Sequence, residues 1–387
     1  MWRCGAGDRR GVSHFEEASR RPAGRAEAEV PTCSGCRMVI SKVLGFLSAD
    51  LGVDLGTTNT LVCAAGQEIL LNEPSVVAVK KGTNDVLLDG RAVGLTAKEM
   101  LGRTPLSIDA GRPLRDGVIA DFDMAEAMLT YILRKAREGR TWRRPRLVVA
   151  VPTHITPIEK RAIFNAAERA GARKVYLIEA PRAAGLGAGV PIHEARAHML
   201  VDIGGGTTEI AILSLADVVV AENLRVGGDA MDDAITRHMK RSYNILVGPN
   251  TAEEIKLAVG SACTLEEESA VTVRGRDMIA GLPRAVTVTS EEIREALALP
   301  VRQILDAVRG VLEQTGPELS GDLLKNGMVL CGGGVLLPGL AGLLAAETGL
   351  PVHVDPEPMA TVARGTAVFL ERLDEFKYIL ESGEDEL

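Results

Sequence analysis

Short apolar runs alternate with amphipathic stretches along most of this chain. Apolar runs bounded by turn residues indicate β-strands, whereas apolar positions that recur every three or four residues indicate helices. The runs predict strands at 51–53, 61–63, 69–71, 75–79, 84–88, 146–151, 174–178, 199–201, 210–213, 217–224, 270–274, 285–289, 327–331 and 352–354. The periodic stretches predict helices at 123–137, 157–170, 229–241 and 359–373, with further helices beginning near 181, 251 and 290 and one after 334. Strands that alternate with helices indicate an α/β fold with a central sheet.

Two predicted helices begin with capping signals. Thr156, Pro157 and Glu159 form a capping box with proline at the first helical position, and Gly171 marks the end of the same helix. Asp123, with an acid three residues later, forms a variant of the box on the first long helix. Both helices are therefore expected to have well-defined first turns.

The chain contains one glycine-rich turn twice, each time between two apolar runs. The first copy is 54–60 (DLGTTNT) and the second is 202–209 (DIGGGTTE). This order predicts a β-hairpin whose glycines let backbone N–H groups approach a ligand closely. Hydroxyl side chains beside the turn suit phosphate oxygens, and the acid at the end of each first strand suits a water bound to Mg²⁺. Two such turns favour a duplicated domain that holds a nucleotide between its halves over a plain pair of hairpin turns.

Composition narrows the class of protein. The chain has 387 residues, enough for two domains with substantial cores, and its 46% hydrophobic and 25% charged residues are ordinary for a globular protein. Aromatic residues make up only 3%, so the core is predicted to consist of Leu, Val, Ile and Ala. A net charge of −8 and an isoelectric point near 5.5 argue against nucleic acid as a partner. No apolar run reaches the roughly 20 residues that span a bilayer.

The six cysteines indicate a reducing compartment. Cys63 and Cys331 lie in apolar, strand-like runs and are predicted to be buried thiols, which fits the cytoplasm. Cys33 and Cys36 form a lone CxxC without a second pair or nearby histidines, so a zinc site is a poor interpretation of them.

The first 49 residues differ from the rest. Residues 1–37 are rich in Arg, Gly, Ala and Glu and lack apolar periodicity, which predicts a disordered segment or a misassigned start. Residues 38–49 predict a short amphipathic helix. Its apolar side comprises Ile40, Val43, Leu44, Phe46 and Leu47. Such a helix either packs on the domain or lies in a membrane interface, and its pattern alone favours neither.

Several stretches resemble the MreB family, the bacterial homologues of actin. The paired turns and the late Gly332-Gly333-Gly334 after a strand are features of the wider superfamily of actin, sugar kinases and heat-shock chaperone ATPases. The stretches that resemble MreB itself are 71–77 (LNEPSVV), 100–105 (MLGRTP), 112–121 (RPLRDGVIAD), 201–209 (VDIGGGTTE), 281–284 (GLPR) and 362–365 (VARG). The resemblance covers the chain from 38 to about 373.

The resemblance implies an actin-like, duplicated ribonuclease-H-like fold with two lobes, and so four subdomains, around a nucleotide cleft. It places lobe I at 50–196 with a small subdomain near 82–108, and lobe II at 197–375 with a small subdomain near 228–288. Residues 376–387 are assigned to an acidic segment after lobe II, and its last part, the tail 381–387, is expected to be frayed. The implied role is a filament on the inner face of the cytoplasmic membrane that directs wall elongation and rod shape together with membrane proteins of the elongation machinery.

The ligand contacts of the family carry over by motif. The implied cofactors are ATP, with GTP left open, and Mg²⁺, which Asp54 and Asp202 would hold through water. The implied nucleotide-binding residues are Asp54, Thr57, Thr58, Asn59, Gly204, Gly205, Gly206, Thr207, Thr208, Glu253, Lys256, Gly332, Gly333 and Gly334. Glu253 and Lys256 lie one helical turn apart, so the alternative for them is a solvated ion pair.

One position departs from the family. MreB proteins usually read Ile-Glu-Glu-Pro where this chain has 178–181 (IEAP), so Ala180 stands where the resemblance expects a water-orienting acid. The remaining candidate catalytic residues are Glu179, Asp202 and Thr207. Loss of such an acid typically costs about 10²–10⁴-fold in rate, so we expect weak hydrolysis with intact nucleotide binding.

A second membrane signal is expected at 137–145. The family inserts apolar residues from a loop ahead of the strand that follows, and here Trp142 stands among Arg140, Arg143 and Arg144. This composition suits an anionic bilayer interface, and the alternative is an exposed Trp beside a solvated basic run. With the 38–49 helix, the loop would supply the second of two signals that reversible anchoring requires.

Three other interpretations stay open. A superfamily kinase would need a base facing the γ-phosphate, which Ala180 disfavours. A chaperone-like ATPase would need a substrate domain after the ATPase lobes, for which the chain given has no room. A paralogue that binds nucleotide as a static scaffold remains open because of Ala180.

Overall fold

The computed structural model describes residues 50–66, 68–83, 85–137, 144–376 and 381–382. Several predictions fall outside these residues. They are the segment 1–37 with its CxxC, the 38–49 helix with Ile40, Val43, Leu44, Phe46 and Leu47, the loop residue Trp142 with Arg140 and Arg143, and the tail residues 383–387.

Strands occur throughout the described chain. They are β1 (Leu51–Leu55), β2 (Asn59–Ala64), β3 (Ile69–Pro74), β4 (Val77–Lys80), β5 (Ile108–Gly111), β6 (Leu114–Arg115), β7 (Val118–Ile119), β8 (Arg146–Val151), β9 (Lys174–Glu179), β10 (His198–Ile203), β11 (Thr208–Ser214), β12 (Asp217–Leu224), β13 (Ile245–Leu246), β14 (Ala270–Asp277), β15 (Pro283–Thr289), β16 (Met328–Cys331), β17 (Val352–Val354) and β18 (Glu381–Ser382).

Helices connect or cover these strands. They are α1 (Leu87–Gly90), α2 (Leu95–Met100), α3 (Phe122–Arg137), α4 (Pro157–Arg169), α5 (Ala180–Gly187), α6 (Gly228–Tyr243), α7 (Pro249–Val259), α8 (Ser290–Glu313), α9 (Pro317–Asn326), α10 (Leu340–Thr348), α11 (Thr361–Glu371) and α12 (Leu373–Phe376), with 3₁₀ turns at Gly333–Leu336 and Pro358–Ala360. None of the helices in the described ranges is long and apolar enough to cross a membrane.

The two large sheets have the same topology. The first has the order β18-β9-β8-β1-β2-β3 and the second has the order β12-β11-β10-β16-β17. In both, an antiparallel three-strand meander begins at a strand that pairs in parallel with a later strand, which in turn pairs in parallel with another. We call the part built on the first sheet lobe I and the part built on the second sheet lobe II. The repeated topology confirms the predicted duplication.

Burial on both faces explains the unbroken apolar runs in the central strands. Along β8, Leu147 and Val149 face a core formed with α3 and α4, whereas Val148 faces a second core formed with α5 and α11. A strand covered on both sides needs apolar residues at every position rather than at alternate ones. The second core also contains Leu200 of β10, so it joins the two lobes.

Helices α5 and α11 cross in this shared core with their backbones in contact. A Cβ added at Gly365 of α11 would lie 1.7 Å from the carbonyl oxygen of Ala183 on α5. A Cβ added at Gly187 of α5 would lie 1.9 Å from the carbonyl oxygen of Thr361 on α11. Each helix therefore contributes one glycine that lets the other helix approach.

Smaller sheets extend each lobe. In lobe I, β4 and β5 pair beside α1 and α2, and in lobe II a three-stranded sheet, β13-β14-β15, packs beside α6 and α7. The chain also returns to lobe I after β17, because α11 packs on β1, β2 and β8 and β18 pairs with β9. The predicted division had placed α11 in lobe II.

Some predicted elements have the same first and last residues in the structure, and other predictions were wrong. The strands at β8, β12 and β17 match, and the capping box of Thr156 with Glu159 is formed. The strand predicted at 84–88 is wrong, because Val86 makes only an isolated bridge and a helical turn follows it. The capping variant at Asp123 is also wrong, since the carboxylate of Asp121 accepts the N–H of Met124 instead. The tail is not wholly frayed, because its first two residues form β18.

Candidate functional site

The two glycine-rich turns lie against each other where the lobes meet. A Cβ added at Gly205 would lie 1.7 Å from Oγ1 of Thr58, and one added at Gly206 would lie 2.9 Å from Oγ1 of Thr57. Both threonines belong to the β1–β2 turn and both glycines to the β10–β11 turn. The absence of side chains in the second turn is therefore what admits the hydroxyls of the first.

The two hydroxyls have different bonding. Oγ1 of Thr57 accepts the backbone N–H of Gly117 at 3.1 Å. Oγ1 of Thr58 is shielded from solvent and has no hydrogen-bond partner among the residues that the structure describes. A buried hydroxyl without a partner costs free energy, so it fits a site where a ligand oxygen completes its bonding.

Three carboxyl groups lie behind the turns. Asp54 is on β1, and Asp202 and Glu209 are cross-strand neighbours on β10 and β11. Burial, together with the charges of Asp202 and Glu209, raises the pKa of Asp54 to about 8. Burial also raises the pKa of Asp202 to about 6 and that of Glu209 to about 7. A positive charge close to such a cluster would stabilise the ionised forms and lower these pKa values.

Glu209 also connects the lobes. Its carboxylate accepts hydrogen bonds from both the backbone N–H and the hydroxyl of Thr153, which follows β8 in lobe I. In the sequence, Glu209 stands out only as part of the motif of the second turn, and Thr153 belongs to no motif. The acid after the second turn was the one available signal for this contact.

The third glycine group lies beside the second turn. Gly332 has φ of +83°, and a Cβ there would lie 2.3 Å from Oδ1 of Asp202. A Cβ at Gly334 would lie 2.3 Å from the side chain of Ile203, whereas Gly333 has more room. This strip places open backbone next to the acid of the second hairpin, and its contact with a nucleotide stays a prediction.

The first turn of α6 packs on the β10–β11 turn. The N–H groups of Gly228 and Asp229 donate to the carbonyl oxygens of Gly204 and Gly205 at 3.0 and 2.8 Å. A Cβ at Gly227 would lie 2.6 Å from the first of these oxygens. The glycines before α6 therefore hold the second turn in place, a role that the sequence analysis did not assign.

Glu253 and Lys256 lie at the edge of the cleft but do not pair with each other. Lys256 contacts Asp232 at 2.9 Å and donates to the carbonyl oxygen of Gly228 at 3.0 Å. Glu253 pairs at 2.7 Å with Lys98 of α2, across the cleft in lobe I. The alternative of an ion pair between Glu253 and Lys256 is therefore wrong.

A second ion pair also joins the lobes. Arg112, between β5 and β6, pairs with Asp229 at the start of α6. Together with the contacts of Lys98 and Glu209, this pair keeps the two halves of the cleft close. These partners are far apart in sequence, so no local pattern predicted them.

The sequence model of the MreB/Mbl protein family matches residues 48–378. This chain belongs to that family. The Mbl protein of Bacillus cereus, described as cell shape-determining, is 47% identical over 325 residues, which are 84% of this chain and 96% of the relative. The cell shape-determining protein MreB of Escherichia coli K12 is 48% identical over 337 residues, which are 87% and 97% of the two chains.

Solved structures agree with the MreB/Mbl assignment. The crystal structure of MreB 5 of Spiroplasma citri bound to AMPPNP has a TM-score of 0.79 and 36% identity, covering 85% of this chain and 97% of that one. The structure of a MamK double helical filament has a TM-score of 0.70 at 24% identity, which supports the fold alone. The fold is therefore the actin-like one, and the chain is a member of an actin-like cytoskeletal family of cell shape-determining proteins.

Two implied contacts of the MreB/Mbl family are not formed towards the cleft. The side-chain amide of Asn59 donates to Asn72 on β3 at 3.1 Å. The hydroxyl of Thr208 is fully buried and donates to the carbonyl oxygen of Val226 at 2.7 Å. Thr207 remains at the cleft, beside Gly117.

The departure from the MreB/Mbl pattern lies at the end of β9. Ala180 is the first residue of α5 and offers no polar group. Glu179 forms an ion pair with Arg182, with Oε2 and Nε 2.8 Å apart but not aligned for a hydrogen bond, and Arg182 also contacts Asp217 at 2.5 Å. No group of three or more His, Cys, Asp or Glu side chains in the described ranges is arranged to hold a metal ion directly.

Proposed function

We propose that this chain is an ATP-binding, membrane-associated, actin-like protein that polymerises into filaments and directs cell-wall elongation and rod shape in bacteria. The observation that carries nucleotide binding is the contact between the two turns, with the buried hydroxyl of Thr58 lacking a partner beside Gly205. The structures of MreB 5 of Spiroplasma citri, bound to AMPPNP and to ADP, support the same ligand class.

Different residues of the cleft would contact the phosphates, the nucleoside and the metal ion. Backbone N–H groups and the hydroxyls of Thr57 and Thr58 would bind phosphate oxygens, and the glycines 332–334 would admit the nucleoside. Asp54 and Asp202 would hold Mg²⁺ through its waters, and the ion would neutralise phosphate charge. The raised pKa values of both carboxyls fit this role, since a bound cation favours their ionised forms.

We expect nucleotide binding to act mainly as a conformational switch. Hydrolysis needs a group that aligns the attacking water, and Ala180 has none while Glu179 is held by Arg182. The nucleotide still favours the closed lobes, because it contacts both of them, and closed lobes present one fixed surface for polymer contacts. The amphipathic helix 38–49 and the loop around Trp142 would bind the membrane.

The contact between Glu179 and Arg182 also supports a second candidate function. A paralogue that binds nucleotide without turnover would act as a static scaffold, and the engagement of Glu179 with Arg182 favours it over a kinase. Exchange of subunits in preformed polymer distinguishes this candidate from a dynamic filament.

The decisive experiment combines phosphate release with liposome pelleting in ATP and Mg²⁺. The chains compared are the parent starting at Met1, a form starting at Met38, Ala180→Glu, and Glu179→Gln as the matched control. We expect membrane-bound polymer with little phosphate release from the parent, at least about 10-fold faster release from Ala180→Glu, and no change from Glu179→Gln. Rapid release by the parent would refute the switch interpretation, and absence of polymer and lipid binding would refute the filament interpretation.

A further inference from the structure

A basic cavity lies on lobe II, away from the nucleotide cleft. It has a volume of about 350 Å³ and is lined by Arg237, Lys240, Arg241, Asn244 and Met278. The three cations lie on one face of α6, at spacings of three and four residues, and all three are exposed. Helix α6 starts at the glycine turn, and the three cations follow its first residue by nine to thirteen positions, so the cavity lies roughly 14–20 Å along the helix from that turn.

The nearby carboxylates are occupied by other groups. Asp277 accepts from Arg284 and from two backbone N–H groups, and Glu292 accepts from Tyr243 and from the capping box of α8. Asp233 stands one turn before Arg237 on α6 but makes no ion pair with it. No carboxylate in the described ranges pairs with any of the three lining cations. The cavity therefore has unbalanced positive charge.

The ordinary role of cations at this place is to stabilise the end of α6. Lys240 and Arg241 lie in the last turn, where positive charge interacts favourably with the helix dipole. Arg237 lies outside the last turn, and the dipole does not explain why three cations share one cavity. Met278 and Ile279, both exposed, add an apolar rim at the tip of the β14–β15 hairpin. The combination suits an acidic segment with one apolar residue.

The chain carries such a segment directly after β18. Residues 384–387 read EDEL, three consecutive acids followed by a leucine. The strand before them belongs to lobe I, since Glu381 and Ser382 pair antiparallel with Leu177 and Tyr176.

This strand and the cavity lie on different lobes of one chain. Strand β18 is at the edge of the large sheet of lobe I, and residues 384–387 follow Ser382 by at most five residues, which span at most about 18 Å. The cavity belongs to α6 and to the β14–β15 hairpin of lobe II. A second copy of the chain can present its tail to this cavity whatever the separation of the two within one chain.

We infer that the basic cavity of α6 binds the acidic tail, 384–387, of a second copy of this chain. The contact joins two different surfaces, so it can repeat from copy to copy, and it extends an assembly in one direction when the rotation between copies does not close a ring. This inference rests on the proposed self-association and assigns one of its contacts. The contact energy comes largely from exposed charges, so it weakens with added salt.

Chemical cross-linking tests the inference on the full-length chain. Equal amounts of ¹⁵N-labelled and unlabelled chains are mixed with ATP and Mg²⁺, and a carbodiimide couples lysine to adjacent carboxylates. We expect peptide pairs that join Lys240 to the tail, with one labelled and one unlabelled partner. The link should fall at least about 10-fold in Arg237→Glu/Arg241→Glu and persist in the control Arg302→Glu/Lys325→Glu, which reverses two exposed charges elsewhere on lobe II.

Several results would overturn the inference. They are absence of the Lys240–tail link, links only between identically labelled peptides, or equal loss in the control. A loss of binding to anionic vesicles in Arg237→Glu/Arg241→Glu, without any tail link, would assign the cavity to a lipid surface instead. Pelleting of the same samples tests the proposed filament separately, because polymer without the link refutes only the tail contact, and the link without polymer refutes only the filament.

A charge-reversed tail gives an independent check. Glu384→Lys/Asp385→Lys/Glu386→Lys should raise the concentration needed for polymer about 10-fold, and combining it with Arg237→Glu/Lys240→Glu/Arg241→Glu should recover most of the loss. Failure of the combined variant to recover, with nucleotide binding intact, would contradict a direct contact.

Discussion

The two glycine-rich turns share a backbone setting but differ in what they contribute. Each joins an antiparallel pair whose first strand has an aspartate as its penultimate residue. The first turn contributes the hydroxyls of Thr57 and Thr58, and the second contributes the open backbone of Gly205 and Gly206. If both copies carried threonine at these places, the side chains would overlap. The duplicated hairpins therefore had to diverge into complementary halves before they could meet around one ligand.

The acids behind the turns differ in the same way. Asp54 faces Leu61 across its hairpin, whereas Asp202 faces Glu209. Asp54 has a higher pKa than Asp202 although its cross-strand neighbour is apolar. The reason is that burial of Asp54 is combined with repulsion from the two acids of the other lobe. The first hairpin thus has the less stable carboxylate when no cation is bound.

The largest expected effect comes from making the second turn resemble the first. Gly205→Ala would place a methyl group 1.7 Å from Oγ1 of Thr58, so the turns must separate. We expect nucleotide affinity to fall about 100-fold, equivalent to about 2.7 kcal/mol, in equilibrium binding of a fluorescent nucleotide. The control is Gly342→Ala on α10, where no atom lies within 4 Å of the new methyl group. Unchanged affinity in Gly205→Ala would show that the turns do not need to touch.

A smaller effect is expected from neutralising the acid of the first hairpin. The folded pKa of Asp54 is about 8 against an ordinary value of 3.8, so the folded protein without ligand binds a proton more tightly than the unfolded chain. Its stability should therefore fall as the pH rises from about 4 to about 8. Asp54→Asn should remove this loss and raise the Tm at pH 8 by about 4 °C, with little change at pH 4.

Thermal unfolding of nucleotide-free protein at both pH values checks this expectation. Asp202→Asn is the matched comparison, and its Tm gain should be smaller, since the pKa of Asp202 is raised only to about 6. A larger Tm gain in Asp202→Asn than in Asp54→Asn would contradict the conclusion that the first hairpin has the less stable carboxylate.

The smallest effect is expected at the edge of the cleft. Lys98 and Glu253 are each about a quarter exposed, and such pairs contribute at most about 1 kcal/mol. Lys98→Gln and Glu253→Gln should each speed nucleotide dissociation by about 2–5-fold, and the double variant should be no faster than either one. If Glu253 binds the nucleotide directly, as the resemblance implied, Glu253→Gln should have a far larger effect than Lys98→Gln in stopped-flow dissociation.

Local chemistry made much of the fold predictable. The apolar run of β8, the capping box at Thr156 and the glycine at 171 depend on neighbouring residues, and all three hold. The two hairpins could be predicted for the same reason. Errors arose where similar local signals competed, as at Asp121 and Asp123, or where an element is too short to show a period, as in β18.

The candidate site was only half predictable. Glycine turns and acids can be read from a motif, but their partners cannot. Glu209 with Thr153 and Glu253 with Lys98 depend on how the lobes are placed, and so does the turning of Asn59 towards β3. These contacts join residues on different elements, so only the folded arrangement reveals them.

The crossing of α5 and α11 has a mechanical consequence. Gly187 and Gly365 bring two backbones together with no interlocking side chains between them. Rotation about such a point requires few rotamer changes, whereas sliding would press neighbouring side chains into the opposite backbone. The crossing therefore has the geometry of a pivot, and we expect any opening of the molecule to be an angular motion about it, with a displacement that grows with distance from the two glycines.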